Sequence, residues 1–205
     1  MMDVAQQYFD RISGTELVLA LAYLIVPTSF ILLFLYATTH VKQRLTMTVF
    51  WFVLSGVIHC TYEFLFVFSR STTYISDVMD LYAASDNRYG HPLEAGTASM
   101  ETITALVVGP LCIILAYSIV NGKSYRYPLQ IIVCTCQIYG LIWFILQPEF
   151  TEGGLYSVAS KDPFLFWVLF VGFNSPWAAF PPILLFKAFK HTAQCISRNE
   201  KQKLK

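Results

Sequence analysis

Five uninterrupted apolar stretches, residues 17–37, 47–69, 98–120, 129–147 and 163–186, constrain this chain more than any other feature. Each matches the roughly 20 helical residues needed to cross about 30 Å of hydrocarbon. A bilayer has no water to satisfy the backbone, and each stretch is too long and too evenly apolar for an alternating barrel strand, so helix is the expected conformation. The fold expected is all-α: a polytopic membrane protein, one domain over residues 1–205, built as a five-transmembrane-helix bundle. Charged residues make up only 13% of the chain, against about 25% in soluble domains, which excludes a single water-soluble core. With 14 Lys and Arg against 13 Asp and Glu, there is no basic surface for nucleic acid. Cys60, Cys112, Cys134 and Cys136 fall inside the apolar stretches and are expected to be small buried hydrophobes, not disulfide partners. The first stretch lacks a basic leader and is too long for a signal-peptide core, so it is expected to remain as an anchor, with Pro27 tolerated inside it.

Five crossings place the two termini on opposite sides. One side then holds Lys42, Arg44, Lys123, Arg126, Lys187, Lys190, Arg198, Lys201, Lys203 and Lys205, and the other only Arg11, Arg70, Arg88 and Lys161. This bias predicts a lumenal N-terminus and a cytosolic C-terminus, with residues 187–205 forming a cytosolic basic tail. Lys201 and Lys203 stand five and three places from the end, as in a dilysine retrieval signal of the endoplasmic reticulum. The long connection 70–97 carries Tyr74, Ile75, Val78, Met79, Leu81 and Tyr82 at near-helical spacing, which predicts a short helix lying on the lumenal interface, as a surface loop or as a lid over a pocket.

Inside the five stretches only two residues are charged, Glu63 and Glu101. Intramembrane acids cost a few kcal/mol each and mark function by default. Glu63 follows His59 by four residues and Thr104 follows Glu101 by three, so each pair shares a helix face. Asn174 and Trp177 form a third such pair. At 1.5 Å per residue, Glu63 lies roughly 9 Å and His59 roughly 15 Å from the lumenal end of their span, Thr104 about 9 Å and Asn174 about 16 Å from theirs. The groups are expected to meet at one level, between midplane and lumenal boundary, where an apolar molecule of about sterol size can enter sideways from lipid.

Structural roles compete for each residue taken singly. A buried His or Asn can serve as helix-to-helix glue, Glu101 can snorkel or favour its helix N-terminus, and Trp177 can be a packing aromatic. Metal binding is not expected, because His59 and Cys60 diverge on a helix. Together, two buried acids, an imidazole and an indole can relay protons, bind a cation, or protonate and deprotonate an apolar substrate. Carboxyls in different surroundings can hold different protonation states, as an acid and a base do.

The stretches GVIHCTYEFLFVF (56–68), YAASDNRY (82–89), METITALVVGPL (100–111), LQIIVCTCQIYG (129–140) and FVGFNSPWAAFP (170–181) resemble the emopamil-binding protein family, the Δ8-Δ7 sterol isomerases of the endoplasmic reticulum. The resemblance implies a five-helix bundle with an intramembrane sterol cavity. It assigns importance to His59 and Glu63 of HxxxE, Glu101 and Thr104 of METIT, Asn174 and Trp177 of NxxW, and Tyr89 of DxRY. Pro176 inside NxxW and the pair Pro181/Pro182 depart from the family pattern and are expected to bend the fifth helix locally and shift the indole.

The activity this implies is a cofactor-independent shift of a sterol ring-B double bond from 8,9 to 7,8, in cholesterol-type biosynthesis. His59 and Glu63 protonate the alkene, Glu101 oriented by Thr104 is the leading proton acceptor, and Trp177 faces the carbocation while Asn174 orients its neighbours. Glu63 and Glu101 can exchange these roles. Expected partners are the sterol substrate, membrane lipid and cationic amphiphilic amines that mimic the intermediate. A second copy of the chain or other enzymes of sterol biosynthesis are further candidates. The rival is a non-catalytic sterol- or amine-binding membrane protein with the same residues as counter-ions; a proton channel or transporter ranks third, since the spans show no inverted repeat.

Overall fold

The computed structural model describes residues 4–39 and 46–203. Among the described residues, five helices are long and apolar enough to cross a membrane: Gly14–Thr38, Met47–Phe68, Ala95–Val120, Arg126–Phe150 and Leu165–Lys203. They match the five apolar stretches, but their ends differ. The fifth helix continues to Lys203, so most of the expected basic tail is helical, with Lys201 and Lys203 exposed. Hydropathy marks where lipid ends, not where a helix ends. Lys42, Arg44 and Lys205 lie outside the described residues.

The first spanning helix is peripheral. Ser13 accepts a hydrogen bond from the Glu16 N–H at its start, and Pro27 sits within the helix without ending it. Leu17, Val18, Ile25, Val26, Phe30 and Leu33 are exposed, as suits a face against lipid. The second, third and fourth spanning helices form the centre, where Val49, Phe52, Val53, Cys112, Leu115 and Val133 are fully buried. Two glycines let the second and third helices approach closely. A Cβ on Gly56 would stand 3.0 Å from the Gly109 carbonyl oxygen, and one on Gly109 would stand 2.9 Å from His59 Cβ and 2.6 Å from Cys60 Sγ. Small residues serve membrane helix contacts in this way because they let backbones meet.

Both helices widen at this seam. Residues His59–Glu63 and Thr104–Val108 form π-helical turns that pack against each other, and Leu165–Gly172 forms a third in the fifth span. The fifth helix then runs through Pro176, Pro181 and Pro182. Pro176 has no N–H for the carbonyl one turn back, and the Ser175 hydroxyl donates to that Gly172 carbonyl at 2.9 Å instead. The helix is continuous past all three prolines.

The connection 70–97 holds the expected short helix, and that helix packs on the bundle. Its helix, Ser76–Ser85, buries Ile75 and Met79 completely or nearly so and packs on the first and fifth spanning helices. Glu16 of the first spanning helix accepts from the Asp77 N–H at 2.6 Å and the Val78 N–H at 3.1 Å, filling donors that a helix start leaves open. Beyond the helix, Asp86 and Arg88 form a buried ion pair. Arg88 Nη2 meets Asp86 Oδ2 at 2.6 Å, and Nη1 donates to the Phe144 carbonyl at 2.7 Å. The Asn87 amide donates to the Ser157 carbonyl at 2.7 Å, so the segment is also tied to the last interhelical connection. Arg70 similarly pairs with Asp80 at 2.6 Å. Two of the four cations counted on this side are thus structural.

Cys112 and Cys134 are buried as expected, whereas Cys60 and Cys136 are exposed. Lipid is as apolar as the interior, so an apolar stretch does not dictate which face is buried.

Arg88→Leu should strand the Asp86 charge and lower stability by about 3–5 kcal/mol, measured by unfolding in detergent. Asp86→Leu combined with Arg88→Leu removes both charges and should recover part of the loss. Gly109→Ala, which forces atoms against His59 Cβ, should lower the melting temperature more than Gly14→Ala, whose Cβ meets nothing within 4 Å.

Candidate active site

The site grows out of the two π-helical turns. His59 and Glu63, four apart, share a face of the second spanning helix, and His59 Nδ1 lies 2.6 Å from Glu63 Oε1. One turn earlier on the same face, Ser55 Oγ lies 3.2 Å from His59 Nε2 and accepts from Gln137 Nε2 of the fourth spanning helix at 2.7 Å. Glu63 Oε2 is buried, and the carboxyl faces Thr104 and Glu101 as well as His59.

Across the seam, Glu101 is buried at the end of the regular helix that precedes Thr104. The Tyr89 hydroxyl donates to Glu101 Oε1, and Thr104 Oγ1 approaches Oε2 at 3.3 Å. Glu101 therefore neither snorkels nor serves its helix start. Glu63 and Glu101 interact electrostatically with each other. Burial first, then the charge of Glu101, pushes the Tyr89 hydroxyl well above the usual phenol range, so it keeps its proton and donates.

Trp177 closes one side. Its ring stands edge-on to His59 at 5.9 Å and to Trp51 at 5.4 Å, and its Nε1 is buried without a hydrogen-bond partner. The indole thus offers its faces and edges, with its N–H unused. Asn174 does not reach the carboxyls. Its amide donates to the Phe170 carbonyl at 2.7 Å and to the Tyr82 hydroxyl at 3.5 Å. Tyr82 in turn packs edge-on to Tyr89 at 5.2 Å. Burial, followed by the charge of Asp86, pushes the Tyr82 hydroxyl upward too. The structure therefore gathers His59, Glu63, Glu101, Thr104, Tyr89 and Trp177, and holds Asn174 behind Tyr82.

Sequence reasoning missed Ser55, Tyr82 and Gln137. Signals existed for two of them: Ser55 extends the His59/Glu63 ladder by one more step of four, and Gln137 is an amide within an apolar span. Two clefts, of about 500 Å³ beside Tyr139, Trp143 and Gln147 and about 280 Å³ beside Phe30, Phe34 and Tyr117, are lined by other residues.

Chemically, the arrangement has a carboxyl beside an imidazole, a second carboxyl held by two hydroxyls, and an aromatic wall. Comparison with known proteins shows the family. The family profile EBP, described as EXPERA (EXPanded EBP superfamily), matches residues 72–188. That range contains Tyr89, Glu101, Thr104, Asn174 and Trp177, while His59 and Glu63 precede it. An isomeliandiol synthase of Melia azedarach is 29% identical over 184 residues, 86% of this chain and 84% of its own length. A probable 3-beta-hydroxysteroid-Delta(8),Delta(7)-isomerase of Oryza sativa subsp. japonica is 33% identical over 147 residues, covering 68% of this chain and 64% of that protein. The 3-beta-hydroxysteroid-Delta(8),Delta(7)-isomerase of Mus musculus is 30% identical over 162 residues, 76% of this chain and 69% of its own. On the extent of the profile match and these identities, the chain belongs to the emopamil-binding protein family, within the expanded EBP superfamily.

Proposed function

We propose that this protein is a sterol Δ8-Δ7 isomerase of the endoplasmic reticulum membrane, taking its substrate into an intramembrane cavity at the seam of the second and third spanning helices. The observation that carries this is the pairing of two buried carboxyls with different partners: Glu63 beside His59, and Glu101 held by Tyr89 and Thr104. Relatives named as Δ8-Δ7 isomerases support the choice of reaction.

The chemistry closes on these groups alone. One of Glu63 and Glu101 delivers a proton to C9, the alkene electron pair becomes the new C–H bond, and a tertiary cation is left at C8. The other, as carboxylate, takes the proton from C7, whose bonding pair becomes the 7,8 double bond. Nothing is oxidised or reduced overall. The proton can return from acceptor to donor because the two carboxyls interact directly. Two adjacent acids sharing one proton suit opposite roles. His59 steadies the Glu63 carboxylate, and Trp177 faces the cation. Tyr89 and Tyr82 form part of the roof, with Asn174 holding Tyr82. The end covered by residues 70–94 is lumenal in this proposal, the C-terminus is cytosolic, and Lys201 and Lys203 retain the protein in the endoplasmic reticulum.

Membranes of isomerase-deficient yeast expressing the chain should convert an 8-ene sterol to the 7-ene. If they instead bind protonated amphiphilic amines and form no 7-ene, the protein is the binding-only relative. A triterpenoid substrate belongs in the same assay, given the isomeliandiol synthase similarity.

Glu63→Gln and Glu101→Gln keep shape but cannot exchange a proton, and each should lower the rate at least about 10²-fold with normal membrane insertion. Near-full activity in either would make that acid structural. Because Trp177 leaves its N–H unused, Trp177→Phe should retain more activity than Trp177→Leu, with affinity for protonated amines falling in the same order by about 1–2 kcal/mol. Equal behaviour of Phe and Leu would leave the indole as wall alone.

A further inference from the structure

Close packing shuts the site on most sides. The second and third spanning helices meet at Gly56 and Gly109. The fourth and fifth pack along their length, and Gln130 Nε2 donates to the Leu184 carbonyl at 2.8 Å. Above, the roof sets Tyr89 on Glu101. The second and fifth helices meet differently, chiefly through side-chain rings. Phe180 stacks on Trp51 with centroids 4.7 Å apart and planes inclined at 22°. Trp51 stands edge-on to Trp177 at 5.4 Å, and Trp177 stands edge-on to His59 at 5.9 Å. The ladder of rings runs from the lipid-facing surface to the imidazole, since Phe180 is 43% exposed while Trp51 is 5% and His59 4% exposed.

We infer that the substrate enters from lipid between the second and fifth spanning helices, with Phe180 as the gate and the rings of Trp51 and Trp177 as the walls it passes. The inference deepens the isomerase proposal and rests on it for the identity of the substrate. Three features make this the contact that opens. Both indole N–H groups are buried without a hydrogen-bond partner, so no directional bond pins either ring. A ring pair adds only about a 2- to 10-fold preference beyond its buried area. Pro181 and Pro182 follow Phe180 directly and lack N–H groups, so the carbonyls of Trp177 and Ala178 miss their regular bonds four residues on. The gate ring therefore sits on the turn of its helix that yields most easily. A flat, rigid and largely apolar molecule can follow ring faces inward from lipid, and needs no water-filled path to reach His59.

Two readouts on the full chain in bilayers test this. Phe180→p-benzoylphenylalanine should crosslink a tritiated 8-ene sterol well above the same replacement at Phe30, which is 70% exposed on the first spanning helix. The second readout uses tritiated N,N-dimethyldodecylamine, an amphiphile protonated at neutral pH. A gate sets rates and leaves the equilibrium alone. Phe180→Ala should therefore speed association and dissociation together, by about 2- to 10-fold, and Phe180→Trp should slow both, with Kd unchanged in each variant. A changed Kd with wild-type association would make Phe180 a wall of the site and overturn the inference, as would equal crosslinking at the two positions. Neither readout needs turnover. Selective crosslinking and paired rate changes in an inactive protein would sink the isomerase proposal and leave the entry route standing, whereas normal conversion of 8-ene to 7-ene with neither result would sink the entry route alone.

Discussion

Asp86 and Arg88 stand two residues apart around a single 3-10 turn, Asn87–Tyr89, and their buried ion pair holds that turn against the bundle. Tyr89 is the next residue along, and its hydroxyl reaches Glu101 only because the turn is held there. The guanidinium also spans to the Phe144 carbonyl and lies over the Phe144 ring at 4.1 Å. One side chain therefore joins the roof of the site to the end of the fourth spanning helix. A buried pair of this kind gains little net stability over apolar replacements. What it supplies here is a defined position for a neighbouring phenol above a carboxylate.

The site uses the backbone as much as the side chains. All three π-helical segments fall in spans that carry site residues, and two of them face each other at the His59/Glu63 and Thr104 level. Such turns are rare and often found at functional sites. Their effect is local: they rotate the carboxyl-bearing faces of two helices toward one seam, while Gly56 and Gly109 let the backbones come close enough for those faces to meet. Beyond the seam each helix returns to regular geometry and packs conventionally.

Much of this was legible beforehand, for physical reasons that differ by residue. The five spans could be read because lipid imposes length and apolarity on any segment crossing it. His59, Glu63, Glu101 and Thr104 could be read because charges inside such segments are rare and the spacing puts partners on one face. The partner of Asn174 could not, because Tyr82 reaches it only through the fold of the connection between the second and third spans. Ser55 and Gln137 are neutral, so hydropathy passes over them, although burial makes their hydrogen bonds directional. The apolar stretch ends at residue 186 while the helix runs on to Lys203, because a helix can leave lipid and continue in water on its own backbone bonds.

The tie between Glu16 and the N–H groups of Asp77 and Val78 bears on the order of assembly. Synthesis proceeds from the N-terminus, and the first spanning helix, apolar and exposed over most of its surface, can enter the bilayer without the rest. Its Glu16 must then rest in interfacial water until the chain some sixty residues later has been made and folded back over it. The segment that inserts first is thus among the last to be locked, and closing the roof over the site also fastens the outermost helix to the bundle.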